Sequence, residues 1–123
     1  MEWIGLDIGG ANIKLADSQG RAVSRPFALW NNPAGLTAEL ADLLSSLEPG
    51  RPLAVTMTGE LADCFVDKTE GVLHICESVA RAAPNRSLRF YSNAGRWLKV
   101  EELGRNQEAL VASVAAANWH ALA

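Results

Sequence analysis

Apolar and polar residues follow one another along this chain with two periods, and the elements can be read from where the period changes. Trp3-Ile4-Gly5-Leu6-Asp7-Ile8 is a short apolar run stopped by Gly9-Gly10, the pattern of a buried strand that ends in a tight turn. Ala11 to Ala16 alternates apolar with polar, which predicts an antiparallel return strand, and Asp17-Ser18-Gln19-Gly20 makes a second turn. A third strand is expected over about Ala22 to Leu29. Asn32-Pro33 then reads as a helix start, Asn as N-cap and Pro at the first helical position, with Leu36, Leu40, Leu43 and Leu47 on one face.

Pro49-Gly50 closes that region, and Leu53-Ala54-Val55-Thr56-Met57 is apolar enough at its centre to be a parallel strand buried on both faces. From Thr58 to Ala83 the pattern is helical in two pieces. Thr58 is a candidate N-cap for the first, and Asp67 with Glu70 forms a cap and its reciprocal partner for the second, whose face is Val72, Ile75, Val79 and Ala83. Pro84 stops it. Leu88 to Tyr91 is a fifth strand, a Gly95 turn leads into Trp97 to Leu103, and a last helix is expected from about Asn106 to the end, with Leu110, Val114, Ala117 and Ala121 inward. Three meandering strands followed by helix, strand, helix, strand, helix predict one α/β unit over 1–123. Its mixed five-stranded sheet would have the first strand central and at least three flanking helices.

Composition narrows the partners. A chain of 123 residues is one domain's worth, and 49% hydrophobic with 20% charged residues fits a globular protein that folds. The formal charge is -3 and the eleven Lys and Arg are scattered, so no nucleic-acid partner is expected. No apolar run approaches the roughly 18 residues of a membrane span. The start lacks the regions of a signal peptide, so no membrane association and a cytoplasmic location are expected. Cys64 and Cys76 are expected to stay thiols; Cys76 and His74, two apart on a helix, point in different directions and do not make a metal pair.

The chemistry concentrates at two places. The first is Asp7-Ile8-Gly9-Gly10-Ala11-Asn12-Ile13-Lys14, a strand, a two-glycine turn and a returning strand. Glycines let a backbone turn bring its N–H groups against phosphate oxygens with no Cβ in the way, and Lys14 adds a cation. Asp7 would reach a phosphate only through Mg²⁺ or its water, because two anions repel. The plainer alternative is an ordinary hairpin in which Gly9 and Gly10 supply positive φ and Asp7 and Lys14 are solvated flanks. The segment has neither the Gly-Lys-Ser/Thr ending of a Walker loop nor the third glycine of a dinucleotide fingerprint.

The second place is Thr56-Met57-Thr58-Gly59-Glu60-Leu61-Ala62-Asp63-Cys64-Phe65, running off the end of a strand where open α/β sheets hold ligands. Glu60 and Asp63 are candidate catalytic or metal-holding carboxylates, with a helix-dipole role in the first turn as the bland alternative, and Lys68 is a further candidate. Trp119-His120 reads as packing and rim, and Cys64 as a small buried apolar residue.

The Asp7 to Lys14 segment resembles the first phosphate-binding loop of the actin-like ATPase superfamily, which includes sugar kinases. Together with Thr56 to Phe65 and Ala117-Asn118-Trp119-His120-Ala121, it resembles the hydantoinase/oxoprolinase-like family linked to tetrahydromethanopterin-dependent C1 transfer. That resemblance implies an actin-like (ribonuclease H-like) N-terminal lobe. It also implies transferase chemistry of methanofuran biosynthesis, the joining of a γ-glutamyl-tyramine amine to a furan-methanol diphosphate. A phosphate or diphosphate substrate would sit on Gly9, Gly10, Asn12 and Lys14, with Mg²⁺ on Asp7, catalysis by Glu60 and Asp63, and ATP as a possible cofactor. Members of the family are about twice this length and carry another Asp-Gly loop, so a second lobe or self-association is expected to complete the cleft. The rival readings are a sugar-kinase-like or ATP-dependent amide hydrolase lobe, or a non-catalytic binding module.

Overall fold

The computed structural model describes residues 3–92 and 97–99. Strands β1 (Ile4–Ile8), β2 (Asn12–Ala16) and β3 (Ala22–Pro26) form the meander. Helix α1 (Leu36–Leu44), strand β4 (Leu53–Met57), helix α2 (Lys68–Ala82), strand β5 (Leu88–Tyr91) and the short β6 (Trp97–Leu98) follow. The sheet runs β3-β2-β1-β4-β5-β6, with β1 inside it, antiparallel to β2 and parallel to β4. It has six strands where the sequence pattern predicts five: the extra one is β6, which pairs antiparallel with β5 through Phe90↔Leu98 and Tyr91↔Trp97. Two residues are too short for a period to show. The helix expected from Asn106 onward, with Trp119 and His120, lies outside the described residues.

One face of the sheet is sealed. Ile4, Leu6 and Ile8 of β1, Ile13 and Leu15 of β2, Leu53, Val55 and Met57 of β4 and Phe90 of β5 form a single buried cluster with Leu36, Leu40, Leu43 and Leu47 and with Val72, Ile75, Val79 and Ala83. The period-2 alternation of the strands and the 3.6 period of the helices aim both sets into the same layer. Residues of the opposite register, among them Gly5, Asp7, Lys14, Ala16, Ala54 and Thr56, line an open hollow of about 560 Å³ on the other face.

Local chemistry departs from the pattern at three starts. Asn32 makes no side-chain cap bond; Pro33–Gly35 is a 3₁₀ turn closed by Gly35 N–H to Asn32 O at 3.1 Å, and α1 begins only at Leu36. Thr58 likewise makes no cap bond, and the first helical piece shrinks to a 3₁₀ turn, Gly59–Leu61, because Ala62 is already extended at ψ 145°. Asp67, by contrast, caps α2 as its sequence position implies, its carboxylate accepting from Glu70 N–H at 2.9 Å.

The β2–β3 turn is pinned by a buried carboxylate. Asp17 accepts from the N–H groups of Gln19 and Arg21, each at 3.0 Å, and from the Arg51 guanidinium at 3.2 Å. Burial pushes its pKa up, but the Arg21 N–H, the Arg51 guanidinium and the Gln19 N–H outweigh that and hold it below the ordinary 3.8. A depressed carboxylate contributes stability that is fully present above its unfolded value and is lost as pH falls through the folded one. Urea melts taken from about pH 6 down to about pH 2 are therefore expected to lose stability more steeply in the wild type than in Asp17→Asn, which lacks that titration. Equal acid slopes would remove Asp17 from this role.

Candidate functional site

Strands β1 and β4 are parallel neighbours in register from Ile4↔Leu53 to Ile8↔Met57, so both end at one edge of the sheet, and the two segments singled out by sequence start there together. Thr58 N–H donates to Ile8 O at 3.0 Å. Gly59 is wedged in between: a Cβ there would lie 3.2 Å from the carbonyl oxygens of both Ile8 and Gly9, and 2.7 Å from Leu29 Cδ2. The glycine is what allows the β4 loop to touch the hairpin.

The hairpin tip is a two-residue loop, Gly10-Ala11, closed by Gly9 N–H to Asn12 O at 3.0 Å. The alternative in which Gly9 and Gly10 supply positive φ does not hold, since the positive-φ glycines among the described residues are Gly20 and Gly50. At the base of the tip, Gly9 is used for space. A Cβ on Gly9 would press to 3.3 Å on Asn12 O, while one on Gly10 would meet nothing within 4 Å. The carbonyls of Gly10 and Ala11 are taken by the N–H groups of Leu29 and Phe27, at 3.0 and 2.9 Å. The N–H groups of Gly10 and Ala11 donate no hydrogen bond among the described residues. Among the described residues the turn thus has its acceptors tied down and its donors available.

Asp7 and Lys14 are directly opposite across the β1–β2 ladder, and Asp7 and Thr56 are partners across β1–β4. Directly paired residues share a face, so all three stand on the open side behind the turn. Thr56 Oγ1 donates to Asp7 Oδ1 at 3.3 Å. Lys14 and Asn12 are exposed. Among the described residues no group of three or more His, Cys, Asp and Glu converges on a common point.

Glu60 and Asp63 are not equivalent. Glu60 is at the expected edge but only 1% exposed, its backbone and Cβ held against Gly71 of α2; its carboxylate does not open onto the crevice that Asp7 and Lys14 share. Asp63 is exposed on the loop, and Lys68 is exposed at the start of α2. Burial pushes the Cys64 thiol up, with smaller contributions in the same direction from Glu70 and Asp63, and its Sγ sits 3.7 Å from Leu29 O. Burial also raises Cys76 far above the ordinary thiol range, so neither cysteine is poised as a thiolate.

Sequence reasoning overlooked the β3–α1 connection. Its backbone holds the hairpin carbonyls, its Leu29 is fully buried, and its Trp30 is exposed. The mixed sheet with two loops meeting at its carboxyl edge defines a class of open α/β lobe that places backbone donors and a cation at one rim.

No family model matches the chain. Over 124 aligned residues it is 35% identical to the (4-{4-[2-(gamma-L-glutamylamino)ethyl]phenoxymethyl}furan-2-yl)methanamine synthase of Methanocaldococcus jannaschii, covering 98% of this chain. The chain spans about a third of that relative's length, 35% of it. The relative's product, by its name, carries a phenoxymethyl link between its benzene ring and its furan, so the join there is an aryl ether. That differs from the amine join that the family resemblance implies. No helix among the described residues is long and apolar enough to cross a membrane.

Proposed function

We propose that this chain is a phosphate- or diphosphate-binding lobe of a synthase of the kind its relative represents, built on an actin-like plan and allied to the hydantoinase/oxoprolinase-like proteins of methanofuran biosynthesis. The observation that carries this reading is the Gly10-Ala11 tip, whose N–H groups are available while its carbonyls are anchored, with Lys14 and Asp7 paired directly behind it. Backbone donors in a tight turn beside a lysine are suited to an anion, and the ligand would be a diphosphate ester of a ring-bearing alcohol.

The donor set fits Mg²⁺ only in the form in which one carboxylate, Asp7, holds an ion that is otherwise ligated by water and phosphate oxygens. When bound, Mg²⁺ would offset negative charge on the diphosphate. ATP in place of a diphosphate ester is the sugar-kinase-like or hydrolase alternative; no particular contact in the structure favours it. Of the two carboxylates on the β4 loop, Asp63 is the one with access to a ligand, while Glu60 is assigned to holding that loop on α2.

A single lobe meets its anion in the open, so affinity is expected to be weak, with Kd about 1 mM, on the order of -4 kcal/mol. Calorimetry of the 123-residue chain with inorganic diphosphate and with ATP, with and without Mg²⁺, tests the reading. Lys14→Ala is expected to weaken diphosphate binding by about tenfold, the loss of one charge-assisted contact at an exposed site. Unchanged affinity in that variant would take the anion away from this turn.

A further inference from the structure

We infer that Trp30 is the ring-binding wall of this site, taking the arene or furan ring of a ligand whose phosphate end rests on the Gly10-Ala11 turn. The inference rests on the phosphate-loop reading above and names what that site selects. Seven large hydrophobic side chains are exposed among the described residues. Three of them, Trp30, Leu61 and Val66, belong to the connections that gather at the carboxyl edge, and Trp30 is the aromatic one.

Its backbone is fixed on two sides. Leu29 N–H donates to Gly10 O at 3.0 Å, and Leu29 O lies 3.7 Å from Cys64 Sγ. The Leu29 side chain is fully buried and abuts the Gly59 site. Trp30 follows one Cα step later, about 3.8 Å along the chain, and is 59% exposed. The edge therefore carries amide donors for an anion and, one residue along the chain from the Leu29 strap that holds their turn, an indole that is more than half exposed. An indole face gives large, rigid apolar area and stacks on a planar ring with offset geometry. A bare anion has no use for it; an anion esterified to a ring does. The other two tryptophans exposed among the described residues, Trp3 and Trp97, share a separate hollow with Ala54 and Arg89 on the open sheet face.

The test compares inorganic diphosphate with benzyl diphosphate on the 123-residue chain, by calorimetry and by NMR of the indole Nε1–H signals. The Trp30 signal is assigned by its disappearance in Trp30→Phe. Benzyl diphosphate is expected to bind about fivefold to tenfold more tightly than inorganic diphosphate and to shift the Trp30 signal. Trp30→Ala is expected to erase that preference and leave inorganic diphosphate binding unchanged, while Trp30→Phe retains part of the preference. If inorganic diphosphate binds but the preference is absent or survives in Trp30→Ala, the ring wall is wrong and the phosphate loop stands. If inorganic diphosphate does not bind at all, the phosphate loop fails and the ring wall with it.

Discussion

Gly71→Ala is expected to destabilise the chain by about 1–3 kcal/mol, the reverse of what alanine does in most helices. Replacing glycine by alanine inside a helix ordinarily gains up to about 1 kcal/mol. Here the added Cβ would lie 2.6 Å from Glu60 O, 2.7 Å from Glu60 Cα and 2.9 Å from Glu60 Cβ, and two of those three atoms are backbone, which cannot rotate away. Either α2 or the 3₁₀ turn at Gly59–Leu61 must shift. Urea denaturation measures the loss, and a variant as stable as the wild type would show that the β4 loop is not clamped on α2. The clamp matters to function because it positions the loop that also touches Gly9.

Phe90→Ala is expected to cost more, about 3–5 kcal/mol. Phe90 is the largest fully buried side chain among the described residues, with β-sheet partners Val55 on one side and Leu98 on the other. Removing its ring leaves a cavity between the sheet and its helices. Thermal or urea melts give the value; a loss below about 1 kcal/mol would mean that the core relaxes around β5 and that β4 is not held rigidly.

What the sequence made legible was set by periodicity. Leu36, Leu40, Leu43 and Leu47 announce α1, and the apolar run Leu53 to Met57 announces a strand parallel to β1, because burial of a face imposes a spacing that needs no tertiary knowledge. Asp67 was legible for the same reason, since a cap acts within four residues. The carboxyl edge was legible only in part. That Asp7, Lys14 and the β4 loop share it follows from strand order, but the burial of Glu60 does not: it depends on Gly71, eleven positions away, approaching closely enough to cover it. Trp30 was hidden as well, just past a stretch, about Ala22 to Leu29, read as β3. The strand stops at Pro26, and Phe27 and Leu29 turn their N–H groups to the hairpin tip, a pairing that no local pattern encodes. The 3₁₀ turns at Pro33 and Gly59 stand where the sequence suggested helical starts, and neither Asn32 nor Thr58 makes the side-chain cap bond that would open a regular helix there.

The central claim, that an anion rests on the Gly10-Ala11 turn, is tested most directly by mapping backbone amide shifts in a ¹⁵N-labelled chain titrated with magnesium diphosphate. The expected result is that the largest shifts fall on the N–H groups of Gly10 and Ala11, with smaller ones at Asn12, Lys14 and Thr58. Largest shifts elsewhere, for example in the first turn of α2 around Lys68 and Glu70, with Gly10 and Ala11 unmoved, would contradict it.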